Sequence, residues 1–254
     1  MSHRSISILV GFAAALLLAA SPVGAGEMSV SPDRQGIEQI IHDYLMAHPE
    51  VVIESLRAGD VRIKEHEAEE SRAQIVKHQD DLVRDTKSPV GGNPAGDVTI
   101  VEFFDYRCPY CKQVEPALEA LLKEDSRIRI VYKEFPILGP QSLVATQVAL
   151  AAFKQGPQKY ARLHAALMSA KGELSQDSIF KAAETTGLDV AKIKADMNGR
   201  DIDALIKRNY DLAEALNIRG TPAFIVGSAM SPGAVDLATF KKMVADARKG
   251  GSAP

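Results

Sequence analysis

Residues 98–111, VTIVEFFDYRCPYC, constrain the fold more than any other part of the chain. Val98 to Phe104 is β-branched and aromatic apart from Glu102, and this predicts a buried strand. Cys108 and Cys111 follow it. Lys112 to Lys123 then carries Leu118, Leu121 and Leu122 at helical spacing. Ile128 to Phe135, IRIVYKEF, reads as a second strand. Strand, crossover helix and strand make a βαβ unit with parallel pairing. The two cysteines of the 254-residue chain therefore lie where a strand ends and a helix opens.

That position decides among three roles for the thiols. A closed zinc site needs four ligands, and this CxxC supplies two with no second pair or histidine cluster. His42, His48, His66, His78 and His164 read as solvated surface. Transient copper(I) binding stays open, because soft metal suits soft sulfur. A bridge across two residues constrains the unfolded chain too little to be a staple. Redox exchange fits best. A sulfur at a helix N-terminus meets unpaired N–H groups and the positive end of the dipole, which favour the thiolate. Cys108 is then the attacking thiol, and Cys111, one turn further in, the resolving thiol. Pro109 presets a helical φ in the first turn. Glu102 has two readings, an outward-facing strand residue or a carboxylate beneath the site that carries the Cys111 proton. The reading calls for no cofactor and no resident metal.

Residues 1–25 read as a cleavable secretory signal: a positive start at Arg4, an apolar run from Ile6 to Ala20, and the small residues Val23-Gly24-Ala25. The alternative is an uncleaved anchor, for which the run is short. Export makes disulfide chemistry permissible. The net charge of −3 gives no sign of a nucleic-acid partner.

Ile37, Ile40, Ile41, Tyr44 and Leu45 predict an amphipathic helix over 34–47, and a second restarts at Pro49. Ala58-Gly59 punctuates, closing a helical segment at 27–59. Residues 60–88 carry dense charge, with Val61, Ala68, Ile75 and Leu82 spaced by seven. One apolar position per heptad makes a thin seam, so this stretch reads as a solvated linker helix. An apolar helix stripe must dock on something, either the body of the chain or a second copy of 34–56. Ser88 to Pro94 breaks the chain. Beyond the βαβ unit, about 138–217 reads as helical throughout, and strand character returns at Pro222–Gly227. A final helix over 237–249 is capped by Asp236. The fold class is α/β, with a helical block inserted between the second and third strands. A strand-opening proline at Pro222 is compatible with a trans or a cis bond.

VEFFDYRCPYC, the inserted helices, and Gly220-Thr221-Pro222 before the late strand together resemble the DsbA-like branch of thioredoxin-fold oxidoreductases. The resemblance covers about 89–250 and implies a thioredoxin fold with a helical insertion. It also implies a cis Pro222 facing Cys108 with Thr221 beside it, and Glu102 as the buried acid. IEQIIHDYLMAHPEVVIESL and the charged linker resemble the ScsC (suppressor of copper sensitivity) type. That implies a periplasmic protein acting on exported clients with cysteines, assembled through 34–56 as a homo-oligomer, a trimer in some members. It further implies a membrane thiol reductase as redox partner for an isomerase, or a quinone-linked one for a monomeric oxidase. The strongly oxidising members carry Pro-His between the cysteines and Val before the cis-proline. This chain has Pro109-Tyr110 and Thr221, which lean toward isomerase or reductase.

Overall fold

The computed structural model describes residues 34–250. The signal-segment reading of 1–25 lies outside the described residues. Two compact units divide the chain at Ala58–Gly59. The first contains α1 (Arg34–Ala47) and the start of α2 (Pro49–Lys77). The expected restart at Pro49 is present, but the expected stop at Gly59 is not, because α2 runs through it for 29 residues. A Cβ at Gly59 would meet nothing, so its cost is the ordinary ~1 kcal/mol of a helical glycine.

The second unit holds a five-stranded sheet in the order β1-β3-β2-β4-β5. The chain passes from α3 (Gln79–Val83) through β1 (Val90–Gly92) into β2 (Val98–Phe104), α4 (Pro109–Glu124) and β3 (Ile128–Glu134). Five helices follow: α5 (Pro140–Lys154), α6 (Pro157–Ser169), α7 (Gln176–Thr185), α8 (Val190–Asp196) and α9 (Arg200–Ala215). β4 (Ala223–Val226), β5 (Ala229–Pro232) and α10 (Leu237–Lys249) complete the fold. β2 and β3 are parallel, as the βαβ reading requires, and β4 joins β2 antiparallel. β1 and β5 are edge strands that the residue pattern did not indicate.

Both faces of β2 are covered. Ile100, Phe104, Ile130 and Phe224 pack with α4, α10 and the inserted helices. Val101, Phe103, Val131 and Ile225 pack with Ile75, Leu82, Leu212 and Leu216. The second cluster corrects the solvated-linker reading from Ile75 onward: Ile75 and Leu82 are 2% and 1% exposed, whereas Val61 is 54% exposed. Residues 75–88 are held by polar contacts as well. Lys133, buried on β3, donates to the Asp81 carbonyl, the Asp85 carboxylate and the Ser88 hydroxyl at 2.7–3.1 Å. Arg129 donates to the Val83 carbonyl at 2.7 Å. A buried ammonium is tolerated when its protons are all taken, and here three acceptors take them.

Truncating Leu82 should therefore act as a core mutation. Leu82→Ala is expected to lower unfolding free energy by about 2–5 kcal/mol in urea titration, while Val61→Ala stays within about 0.5 kcal/mol. Equal small effects would mean that the segment does not cover the sheet.

Candidate active site

β2 ends at Phe104, and a turn of four residues separates it from α4, which opens at Pro109. Asp105 fixes that turn. Its carboxylate accepts from the Arg107 amide at 2.7 Å and from the Ile137 and Leu138 amides at 2.8 and 3.0 Å. Cys108 is the N-cap of α4, in extended conformation, with Pro109 next in the helix. Its sulfur accepts the Cys111 amide N–H at 3.4 Å. The N-cap position leaves a sulfur facing amides that no earlier carbonyl can satisfy.

The third element at the site is the start of β4. Phe103 pairs with Ala223, so the residues just before Ala223 lie beside the turn that leaves β2. The Thr221–Pro222 bond is cis. In its neutral form the Cys108 thiol donates to the Thr221 carbonyl at 3.1 Å. The structure thus brings Cys108, Cys111, Thr221 and Pro222 together, as the resemblance implied. Tyr110, between the cysteines, points outward and is 61% exposed.

Both sulfurs are free thiols and both are buried. They titrate as an unequal pair. Cys108 ionises at about 6 instead of its ordinary 9.0. The Cys111 thiol hydrogen-bonded to it is the main cause, opposed by burial and helped by the Thr221 side chain and the Cys111 and Tyr110 amides. Cys111 is pushed far up, first because it shares its proton with Cys108 and then by burial. One sulfur carries the charge and the other keeps the hydrogen.

Glu102 is wholly buried, which removes the outward-facing reading. It alternates with Ile100 and Phe104, on the sheet face that α4 covers. Neither carboxylate oxygen has a hydrogen-bond partner. Burial holds its pKa well above the usual range, reinforced by the nearby charges of Glu115 and Cys108. Glu115, one turn after Cys111 on α4, is raised to about 7, chiefly by burial. Sequence reasoning missed Asp105, Glu115 and the buried His164. His164 is 3% exposed, correcting its reading as surface: α6 packs it against four aromatic rings. The spacing of Glu115 from Cys111 could have flagged it, whereas nothing local marks His164. Among the described residues no three or more His, Cys, Asp or Glu side chains converge as a metal site.

A CxxC capping a helix, opposite a cis-proline on this sheet order, defines a dithiol protein of the thioredoxin fold. The chain belongs to the DSBA-like thioredoxin domain family, whose model matches residues 99–245. Residues 33–58 match the copper resistance protein ScsC N-terminal domain. The thiol:disulfide interchange protein DsbA of Bordetella parapertussis is 29% identical over 55% of this chain and 68% of that protein. A thioredoxin-like oxidoreductase of Silicibacter pomeroyi is 41% identical, with a TM-score of 0.65 over 67% of this chain and 97% of that one. A linker-deletion variant of Proteus mirabilis ScsC is 26% identical, with a TM-score of 0.68 over 89% and 100%. The chain also matches 25% of the Na(+)/H(+) antiporter NhaA 1 of Salinispora arenicola, at 31% identity over 63% of this chain, and so spans about a quarter of that relative.

The depressed Cys108 pKa has a thermodynamic consequence. The reduced folded state holds the thiolate from about pH 6 and the unfolded chain only near 9. The thiolate's contribution to stability is therefore present at high pH and lost as pH falls through about 6. The oxidised protein lacks it. The stability difference, reduced minus oxidised, is expected to grow by about 2 kcal/mol between pH 6 and pH 8 in paired urea titrations. A flat difference would show that Cys108 ionises like free cysteine.

Proposed function

We propose that this chain is a thiol–disulfide oxidoreductase of the periplasm, working as an oligomeric disulfide isomerase on exported proteins. The observation that carries the reading is the Cys108 sulfur capping α4, its charge stabilised by the Cys111 thiol. Cys108 thiolate attacks a non-native client disulfide and forms a mixed disulfide, releasing one client thiolate. That thiolate attacks another client disulfide, and the client thiolate this frees breaks the mixed disulfide and expels the Cys108 thiolate; alternatively Cys111 displaces the client sulfur and leaves a Cys108–Cys111 bridge for a membrane thiol reductase to reduce. In this reading Thr221 and Pro222 border the incoming client, and Glu102, once ionised, takes the Cys111 proton.

Several features support isomerase over oxidase. Tyr110 supplies no positive charge to the thiolate. A pKa of about 6 lies nearer the ~7 of thioredoxin than the ~3.5 of the strong oxidant DsbA. α1 has no buried residues, and Ile40, Tyr44, Met46 and Leu56 are 52–71% exposed. Such an apolar stripe supports assembly with further copies, as a trimer, through residues 34–56. Several Cys108 sites would then surround one client. The leader-like segment at 1–25 supports export. Copper tolerance is a second reading, favoured by the ScsC N-terminal match, with the same two thiols as a soft-metal clip.

Reactivation of scrambled ribonuclease, set against oxidation of a reduced dithiol peptide, tests the proposal. The processed protein is expected to unscramble. Removing 27–60 should cut unscrambling roughly tenfold or more, with simple dithiol exchange retained. Fast peptide oxidation without unscrambling would favour a monomeric oxidase recharged by a quinone-linked partner. Cys111→Ser should trap mixed disulfides with clients. Loss of bound copper without trapped adducts would favour the metal clip.

A further inference from the structure

The exchange steps leave one buried set of titratable groups unused. The His164 ring packs among Phe104, Tyr106, Tyr132 and Tyr160, with centroids 4.5–5.7 Å away. Its Nδ1 lies 3.2 Å from the Tyr106 hydroxyl, and its Nε2 lies 3.9 Å from Glu115 Oε1. The Tyr106 and Tyr160 hydroxyls both donate to one oxygen of buried Glu134, at 3.2 and 3.1 Å.

Counting protons along this chain assigns the imidazole. Burial raises Glu134 to about 8, and since its Oε1 accepts from both tyrosines the acid hydrogen belongs on Oε2; a tyrosine hydroxyl has one hydrogen, and that of Tyr106 goes to Glu134 Oε1. What Tyr106 then offers His164 is a lone pair, which an Nδ1–H satisfies. Burial holds His164 neutral, with a pKa of about 3. A neutral ring protonated on Nδ1 presents a bare lone pair at Nε2. That lone pair faces Glu115, and neither Nε2 nor Glu115 Oε2 has a hydrogen-bond partner. Opposite a carboxylate the lone pair is repulsive. Opposite a carboxylic acid it is attractive, across a 3.9 Å gap that is longer than a hydrogen bond.

We infer that His164 is a positioning residue of the exchange site: Tyr106 and Glu134 hold its proton on Nδ1, and its Nε2 lone pair keeps the Glu115 carboxyl in the acid form, one helical turn from Cys111. The inference deepens the exchange reading and rests on it. In the resolving step the Cys111 S–H proton passes to the Glu102–Glu115 pair once that pair has an ionised oxygen. The Cys111 thiolate attacks Cys108 Sγ, and a Cys108–Cys111 bond forms. The bond from Cys108 to the client sulfur breaks, and the client leaves as a thiolate with both electrons of that bond. The pH at which the carboxyl pair opens sets the acid limb of this step, and His164 raises that pH. The groups facing His164 are Tyr106, Tyr132, Tyr160 and Glu115; Glu134, raised by burial to about 8, lies behind the tyrosines, Glu119 acts on Glu115, and Glu115 acts on Glu102.

Long-range nitrogen-15 NMR of the imidazoles in the reduced full-length protein tests the assignment, with the His164 signal identified by its loss in His164→Gln. The expected result is a neutral Nδ1–H ring, unchanged between about pH 5 and about pH 8. An Nε2–H ring, or protonation near 6.5 as in free histidine, overturns the inference. The second measurement is release of glutathione from its mixed disulfide with Cys108 as a function of pH. Tyr106→Phe removes the lone pair that Nδ1–H needs. The proton should then move to Nε2 and donate to the Glu115 carboxylate, and the acid limb should shift down by about one pH unit. Slower release at every pH with an unmoved limb would make the contact merely structural and overturn the role. No release from the native protein at any pH would defeat the exchange reading itself, a failure the tautomer measurement distinguishes.

Discussion

One shared proton organises the site. Cys108 and Cys111 hold a single hydrogen between them at neutral pH, and the fold decides which sulfur loses it. Cys108 faces the opening amides of α4 and Thr221; Cys111 faces a buried interior with carboxyls nearby. The asymmetry depends on β2 ending where α4 begins. It also depends on the Phe103–Ala223 register, which brings Thr221 and Pro222 to the same place. A two-residue slip in that pairing would carry the cis bond about 7 Å along the strand, away from the sulfur.

The burial of β2 on both faces explains Glu102. A carboxylate on a half-exposed strand would be solvated and ordinary. Here the helices on one face and residues 75–88 with the end of α9 on the other seal the sheet. The strand can then hold a protonated acid beneath the thiols. The Lys133 contacts to Asp81, Asp85 and Ser88 are part of that seal, so the segment before β1 supports the site without touching it.

Much of this was legible in the residues because it is local. The apolar run of β2, the CxxC at its end and the capping residue Asp236 act over a few positions, and each occurs where expected. What escaped is set by distant partners. β1 and β5 are three and four residues long and contain Gly or Pro; pairing with β3 and β4 makes them strands. Gly59 reads as a stop by propensity, yet a single exposed glycine costs too little to end a long helix. Ile75 and Leu82 are spaced as a weak heptad and pack as core. His164 carries no local signature, since its surroundings come from β2, β3, α4 and α6 together.

The acidity of Cys108 bears on how well the site exchanges disulfides. A thiol ionising at about 6 is roughly 90% thiolate at neutral pH, so further acidification would add little attacking species. It would, however, cost nucleophilicity. With a Brønsted coefficient of about 0.4–0.5, a thiol of pKa ~3.5 is about tenfold weaker as an attacker than one of about 6. The same acidity would make it a correspondingly better leaving group, as a donor of disulfides needs. Cys108 therefore lies near the optimum for attacking a client disulfide while still able to depart from it. That balance suits a dithiol site that both opens disulfides and releases them.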